Sequence, residues 1–342
     1  MNRYTDQSLI EAFDRMLGTI SEAVVISHTN PDGDAVGSAT AMQLFLNSRG
    51  VKSVVLLPDQ YPDYLSFLDN GGNIVVFDKS KGEALELIDR AGLICCVDFN
   101  HLKRVNQIEE HILNSNAMKV LIDHHPVPQE EPFDIVFSCT EVSSTCELVY
   151  WMIMACKEEI SEELARSLYV GMMTDTNNFA NSVTSDTFLM ASHLLRCGVD
   201  KEALQHEVFG GFSENRMRLM GYMLLNKMVI LEKFRAGYIT LSLEEQKRFG
   251  FSDGDSEGFV NLPLNIKGVN ISALFTEKED QIRVSLRSVN EFSVNQLSRL
   301  CFNGGGHERA AGGRLNIPLD QVGPYFERAL ERSFDECMLR DI

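Results

Sequence analysis

A chain of 342 residues is long for one domain, and its 44% hydrophobic content is enough to bury two cores, so two domains are expected. A formal net charge of -18 argues against binding long nucleic acid, which needs a basic stripe that neutralises many phosphates, yet it leaves a small anionic substrate held by metal ions compatible. No run reaches the roughly 18 apolar residues of a membrane span, and residues 1–20 lack the basic-then-hydrophobic pattern of a signal peptide, so a cytoplasmic protein without membrane contact is expected. The eight cysteines are scattered, with only Cys95 and Cys96 adjacent and no zinc-ribbon spacing, and read as buried reduced thiols.

In chain order, residues 8–20 read as an amphipathic helix and 24–27 as a short buried strand. Residues 35–49 follow as a helix closed by Gly50. Strands are expected at 51–57, 74–77, 93–97 and 119–122, with helices at 81–90 and around 104–114 between them. Strand alternating with helix is the pattern of a parallel α/β sheet. After a proline- and acid-rich loop at 126–133, Ser144 with Glu147 fits a capping box ahead of a helix that runs to about Cys156. Further helices are expected from Ser161 to Asp175 and from Thr184 to Cys197. A long charged helical stretch at 201–234 reads as a linker between an N-terminal domain, 1–200, and a C-terminal domain, 235–342.

In that second domain alternating strands at 237–243, 269–276 and 281–288 precede a helix at 294–301. The expected class is therefore α/β, a parallel-sheet domain followed by a smaller α/β domain with a mixed sheet. Next comes Asn303-Gly304-Gly305-Gly306-His307, then Ala310-Ala311-Gly312-Gly313. Three successive glycines are expected in a loop whose backbone N–H groups approach an anion closely, with His307 as a phosphate contact.

The chemistry concentrates where apolar strands end. Leu121-Ile122-Asp123-His124-His125 ends in a carboxylate and two imidazoles, and ligands of open parallel sheets bind at strand ends. Three other apolar runs lead to Ser27-His28-Thr29-Asn30-Pro31-Asp32-Gly33-Asp34, to Val97-Asp98 and to Thr174-Asp175-Thr176. A lone Asp-x-Asp is more often a cap or a turn, but the accompanying histidines and acids turn this one into a metal-site candidate. His28, Asp32, Asp34, Asp98, His124 and Asp175 suffice for two metal ions if Asp98 bridges. Two ions roughly 3.5–4 Å apart activate water and clamp a phosphoryl group.

These four stretches, with Asp123-His124-His125 at their centre, resemble the DHH phosphoesterase superfamily, and residues 303–313 resemble the glycine-rich GGGH loop of its associated C-terminal domain. The resemblance spans essentially the whole chain. Domain order and length are most similar to the branch of short oligoribonucleases and 3′-phosphoadenosine-5′-phosphate (pAp) phosphatases, the nanoRNase type. It implies two manganese ions, replaceable by magnesium or cobalt, one held by His28, Asp32 and Asp98 and the other by Asp34, Asp98, His124 and Asp175. It further implies that His125 faces the scissile phosphate, that Asp123 orients the histidine pair, and that Asp98 serves both metals in catalysis. Arg287, Ser288, Asn303, Gly304, Gly305, Gly306 and His307 would bind substrate, with the Arg287 guanidinium gripping a terminal phosphate bidentately.

The implied partners are short RNA, dinucleotides and pAp rather than long double-stranded nucleic acid, with a second copy of the chain as a candidate homodimer partner. The nearest alternative is a hydrolase of linear or cyclic dinucleotides such as pGpG, pApA or c-di-AMP. Inorganic pyrophosphatases share the metal motifs but carry a different C-terminal domain without the GGGH loop. A non-catalytic nucleotide sensor on the same fold is disfavoured because every metal ligand is present.

Overall fold

The computed structural model describes residues 4–69, 71–210, 212–252, 254–289 and 291–338, with the side chains of 335–338 left aside. They fall into two compact units, Met1–Gly211 and Phe212–Ile342.

The first unit is built on six parallel strands, β1 (Glu22–Ile26), β2 (Lys52–Leu57), β3 (Ile74–Val76), β4 (Leu93–Val97), β5 (Met118–Asp123) and β6 (Ile135–Ser138), in the order β3-β2-β1-β4-β5-β6. Eight helices accompany them: α1 (Gln7–Leu17), α2 (Gly33–Ser48), α3 (Lys81–Arg90), α4 (Glu109–Asn114), α5 (Thr145–Ala155), α6 (Glu162–Asp175), α7 (Ser185–Arg196) and α8 (Lys201–Phe209). Both sheet faces are covered, which is why the strands read as continuous apolar runs rather than as alternating ones. Val25, Val97 and Ile122 pack with Met42 of α2, Leu148 of α5 and Leu168 of α6 on one face. Val24, Cys96 and Leu121 pack with Leu87 of α3 and Ile112 of α4 on the other. The strand order reverses between β1 and β4, and a crevice at such a switch point is where doubly wound sheets take ligands.

Two expectations change here. The four-residue edge strand β6 went unnoticed in the sequence because Ile135-Val136-Phe137 is too short to stand out beside a proline-rich loop. The helix expected around 104–114 is a 3-10 turn, Leu102–Ile108, broken at Asn106 (φ 47°), before α4 begins.

The second unit carries a mixed sheet of β7 (Val229–Leu231), β8 (Ala236–Leu241), β9 (Ile271–Glu277), β10 (Ile282–Ser288), β11 (Gly305–Gly306) and β12 (Ala310–Leu315), ordered β11-β12-β10-β9-β8-β7. Only β8 and β9 run parallel. Its helices are α9 (Glu214–Asn226), α10 (Leu243–Arg248), α11 (Val294–Cys301) and α12 (Val322–Met338). Leu286, Phe275, Leu297, Phe302 and Phe326 form its core on one sheet face, while Leu274, Ile239, Leu219 and Phe259 close the other. Residues 201–234 form α8 in the first unit, then α9, β7 and a 3-10 turn in the second. No helix among the described residues is long and apolar enough to cross a membrane.

Helices α2 and α6 meet at two glycines. A methyl group on Gly37 would stand 2.7 Å from the Ser167 carbonyl oxygen and 3.0 Å from the Gly171 nitrogen, both backbone atoms that cannot turn aside. Gly37→Ala is therefore expected to destabilise the fold by about 2 kcal/mol through overpacking. Gly82→Ala in α3, where nothing lies within 4 Å of the added carbon, is expected to be neutral or mildly stabilising. Urea unfolding of both variants checks this, and an unchanged midpoint for Gly37→Ala would contradict the close approach.

Candidate metal centre

Every expected ligand of the first unit lies at the end of a strand or helix that the hydrophobic core holds in place. β1 delivers His28, only 4% exposed, whose Nδ1 lies 2.8 Å from the Thr29 carbonyl oxygen, so the ring presents Nε2. That nitrogen is 3.3 Å from Asp98 Oδ2. Asp32 caps α2, accepting from the N–H groups of Asp34 and Ala35 at 3.1 Å each, and the helix N-terminus favours its negative charge. β4 delivers Asp98, 2% exposed, with a left-handed backbone (φ 65°) that a non-glycine residue adopts at a cost of about 1 kcal/mol or more. β5 ends in Asp123, fully buried, which accepts from His125 N–H at 3.1 Å and lies 2.7 Å from His125 Nδ1.

His124 Nε2 stands 3.5 Å from Asp175 Oδ2 at the end of α6, 3.8 Å from Asp98 Oδ1 and 4.0 Å from Asp34 Oδ2. Three overlapping groups result: His28, Asp32 and Asp98; Asp34, Asp98 and His124; Asp98, Asp123 and His125, each with ligand atoms within 4.8 Å of one another. Asp98 belongs to all three.

Motif reading missed the support beneath these ligands. The first turn of α5 points its free N–H groups at Asp34, from Thr145 at 2.6 Å and from Cys146 at 2.9 Å, while the Thr145 hydroxyl donates to Asp98 Oδ1 at 2.9 Å. The expected capping box is only half formed. Ser144 Oγ accepts from Glu147 N–H at 3.1 Å, but the Glu147 carboxylate takes the N–H and the hydroxyl of Ser143, at 2.9 and 2.5 Å, instead of reaching Ser144. Thr187 Oγ1 and Trp151 Nε1 donate to the same carboxylate at 3.0 and 3.3 Å. Glu147 is fully buried, surrounded by donors, and locks the turn that holds Asp34 and Asp98. Gly171 completes the fit, since a methyl there would collide with Cys146 Sγ and come within 2.6 Å of Asp34 Oδ1.

In the second unit the expected substrate residues gather around Ala310. Arg287 pairs with Ala310 across β10 and β12, and His307 N–H donates to the Ala310 carbonyl at 2.7 Å. The Ser288 hydroxyl donates to the Phe292 carbonyl at 2.6 Å, closing its own loop. Asn303 is left-handed (φ 48°), and Gly305-Gly306 form the edge strand β11 rather than an open loop. Contact explains the glycine at 304: a methyl there would strike the Gly312 carbonyl and stand 2.6 Å from Gly313 Cα. The glycines at 304 and 306 thus let two backbones approach each other.

A model of the DHH family N-terminal domain matches residues 22–172, and one of the DHHA1 domain matches residues 235–331. This chain belongs to the DHH family. Over 306 residues, covering 88% of this chain and 93% of the relative, the DHH chain is 29% identical to a Streptococcus mutans protein named probable bifunctional oligoribonuclease and PAP phosphatase NrnA. It is 26% identical over 318 residues to the Listeria monocytogenes cyclic-di-AMP phosphodiesterase PdeA, with 89% of this chain but 46% of that protein covered. A crystal structure of an exopolyphosphatase-related protein from Bacteroides fragilis superposes with a TM-score of 0.92 at 38% identity, covering 97% of this chain and 98% of that one.

The donor set of the DHH unit fits hard divalent cations, being carboxylate oxygens joined by imidazole nitrogens. Burial, then the negative charges of Asp98 and Asp175, push the Asp34 carboxyl well above the ordinary carboxylate range. Burial acts on Asp98 in the same direction, but the His28 hydrogen bond and the charges of His28, His124 and His125 outweigh it and hold that carboxyl low. Burial and the neighbouring His125 charge lower His124, which favours the neutral imidazole a metal requires. Among the described residues neither Asp34 nor Asp98 is paired with lysine or arginine; histidines alone face them.

Two outcomes follow from this arrangement. Without metal, the raised Asp34 favours the folded state at low pH, and that contribution fades as pH rises through its folded value; metal binding reverses the balance. The gain in Tm on adding Mn2+ is therefore expected to be larger at pH 8 than at pH 6, and an equal gain at both would contradict it. Glu147→Gln places an amide among donors and is expected to weaken Mn2+ binding about tenfold by calorimetry, with excess metal restoring activity. Loss of thermal stability with unchanged metal affinity would assign Glu147 to the fold alone.

Proposed function

We propose that this DHH chain hydrolyses the phosphoester bonds of short oligoribonucleotides and dinucleotides, and removes the 3′ phosphate of pAp, with two divalent ions, Mn2+ first among them. The observation that carries the reading is the convergence of three ligand groups on one buried carboxylate, Asp98, at the switch point of the sheet. The name of the Streptococcus mutans relative, which the chain covers nearly end to end, supports the substrate class. Divalent ions held there would supply activation of water and charge neutralisation at the phosphoryl oxygens.

The chain's own residues supply the rest. His28, Asp32 and Asp98 would hold one ion, and Asp34, Asp98, His124 and Asp175 the other. Asp123 fixes His125 through Nδ1, leaving Nε2 as the ring nitrogen that would face the scissile phosphate. On the second unit Arg287 grips a terminal phosphate, with Ser288, Asn303, the 304–306 glycines and His307 around it. Cytoplasm, where short RNA fragments arise, is the proposed location.

Hydrolysis of linear or cyclic dinucleotides is the second reading, supported by the likeness to the Listeria phosphodiesterase. Turnover with Mn2+ of pAp, pApA, pGpG, c-di-AMP, a 5-mer, a 24-mer, inorganic polyphosphate and pyrophosphate separates the readings. The 2- to 5-mers are expected to be hydrolysed about tenfold or more efficiently than the 24-mer, a difference of about 1.4 kcal/mol in transition-state stabilisation. Arg287→Ala is expected to lower kcat/KM and to shrink that preference. Equal kcat/KM for the 2-mer and the 24-mer would overturn the end-anchored reading, and c-di-AMP as best substrate would favour the second.

A further inference from the structure

Strand β10 carries Ile282, Val284 and Leu286 into the core and turns Arg283, Ser285 and Arg287 to the opposite face. The register across to β12 sets Arg283 directly opposite Arg314, Ser285 opposite Gly312 and Arg287 opposite Ala310. On the other side β9 places Thr276 and Ser272 beside Arg283 and Arg287, so no carboxylate opposes either arginine along these ladders. Arg283 and Arg314 are both exposed, and neither guanidinium has a hydrogen-bond, ion-pair or ring partner among the described residues. A single exposed arginine needs no explanation. Two directly opposed ones, with Cβ atoms about 5 Å apart, repel, and cross-strand like charges destabilise a sheet. The chain has 49 acidic residues with which to neutralise them and uses none here.

An anion between the two guanidiniums turns this repulsion into attraction, since each fork can take two oxygens of one phosphate. Arg283 lies four residues from Arg287 on the same face, about 13 Å along the strand. That is the reach of about two nucleotides in an extended chain. We propose that Arg283 and Arg314 form a second anion anchor, which receives a phosphate about two nucleotides along the chain from one held at Arg287. The inference rests on the reading that the chain acts on short oligoribonucleotides, and it gives that reading a graded length scale: a 2-mer held at Arg287 is too short to reach the arginine pair, and a 4-mer held there reaches it. Between the two anchors on this face stand only Ser285, a small side chain, and Gly312, which has none.

The test compares the full-length chain with its Arg283→Ala/Arg314→Ala variant. Binding of 5′-phosphorylated adenosine 2-mer and 4-mer is measured by calorimetry with a chelator present, so that no ester is cleaved, and kcat/KM is then measured with Mn2+. The variant is expected to lose about tenfold in affinity for the 4-mer and less than about twofold for the 2-mer, and the salt dependence of 4-mer binding is expected to fall by about one unit of slope. Its Tm is expected to be unchanged or higher, because a repulsive pair has been removed. Equal losses for both oligomers, or none for either, would overturn the second anchor. Failure of the unaltered chain to cleave any ester would count against the catalytic reading alone, because the binding comparison still decides the anchor.

Discussion

Two carboxylates buried side by side set the terms for the rest of the first unit. Asp34 and Asp98 are 1% and 2% exposed, and charge in such a place is tolerated only when hydrogen bonds and an opposite charge surround it. Strand β4 ends in a left-handed residue to aim Asp98, α5 begins where its N–H groups can reach Asp34, and Gly37 and Gly171 let α2 and α6 close to backbone contact beneath them. The imidazoles of His28 and His124 compensate in part. The proposed metal centre would balance what they leave, so that the folding problem of burying acids and the catalytic problem of holding metals share one solution.

Much of this was legible in the sequence, for a physical reason. A strand covered on both faces must be apolar along its whole length, so a polar residue at its end is conspicuous, and His28, Asp98 and Asp123-His124-His125 all stood out that way. The support was not legible, because it depends on contacts between distant segments: Thr145 meets Asp34 across 111 positions, and nothing in either segment announces the other. Glu147 left a trace, a lone acid inside the apolar run 146–153, but local capping chemistry explained it first. In the second unit the pairing register was hidden, so nothing in the sequence set Arg283 against Arg314, and the glycines read as a loop. Short strands such as β6, β7 and β11 offer too few residues for periodicity to show.

The two units divide the chemistry in a way that matches their construction. The DHH unit is a parallel sheet packed on both faces, as suits groups that must meet metal ions at fixed distances. The DHHA1 unit offers a sheet face and a glycine hairpin, with arginines spaced along one strand, as suits an extended polyanion. A net charge of -18 over the whole chain disfavours long anionic strands.

The central claim is that Asp98 is shared by two metal ions. Crystals of the unaltered chain grown with Mn2+, with diffraction measured at the manganese edge, test it most directly. Two anomalous peaks about 3.5–4 Å apart are expected, each within bonding distance of a different Asp98 oxygen or of one oxygen shared between them. A single peak, or a pair of which one lies beyond reach of Asp98, would contradict the account.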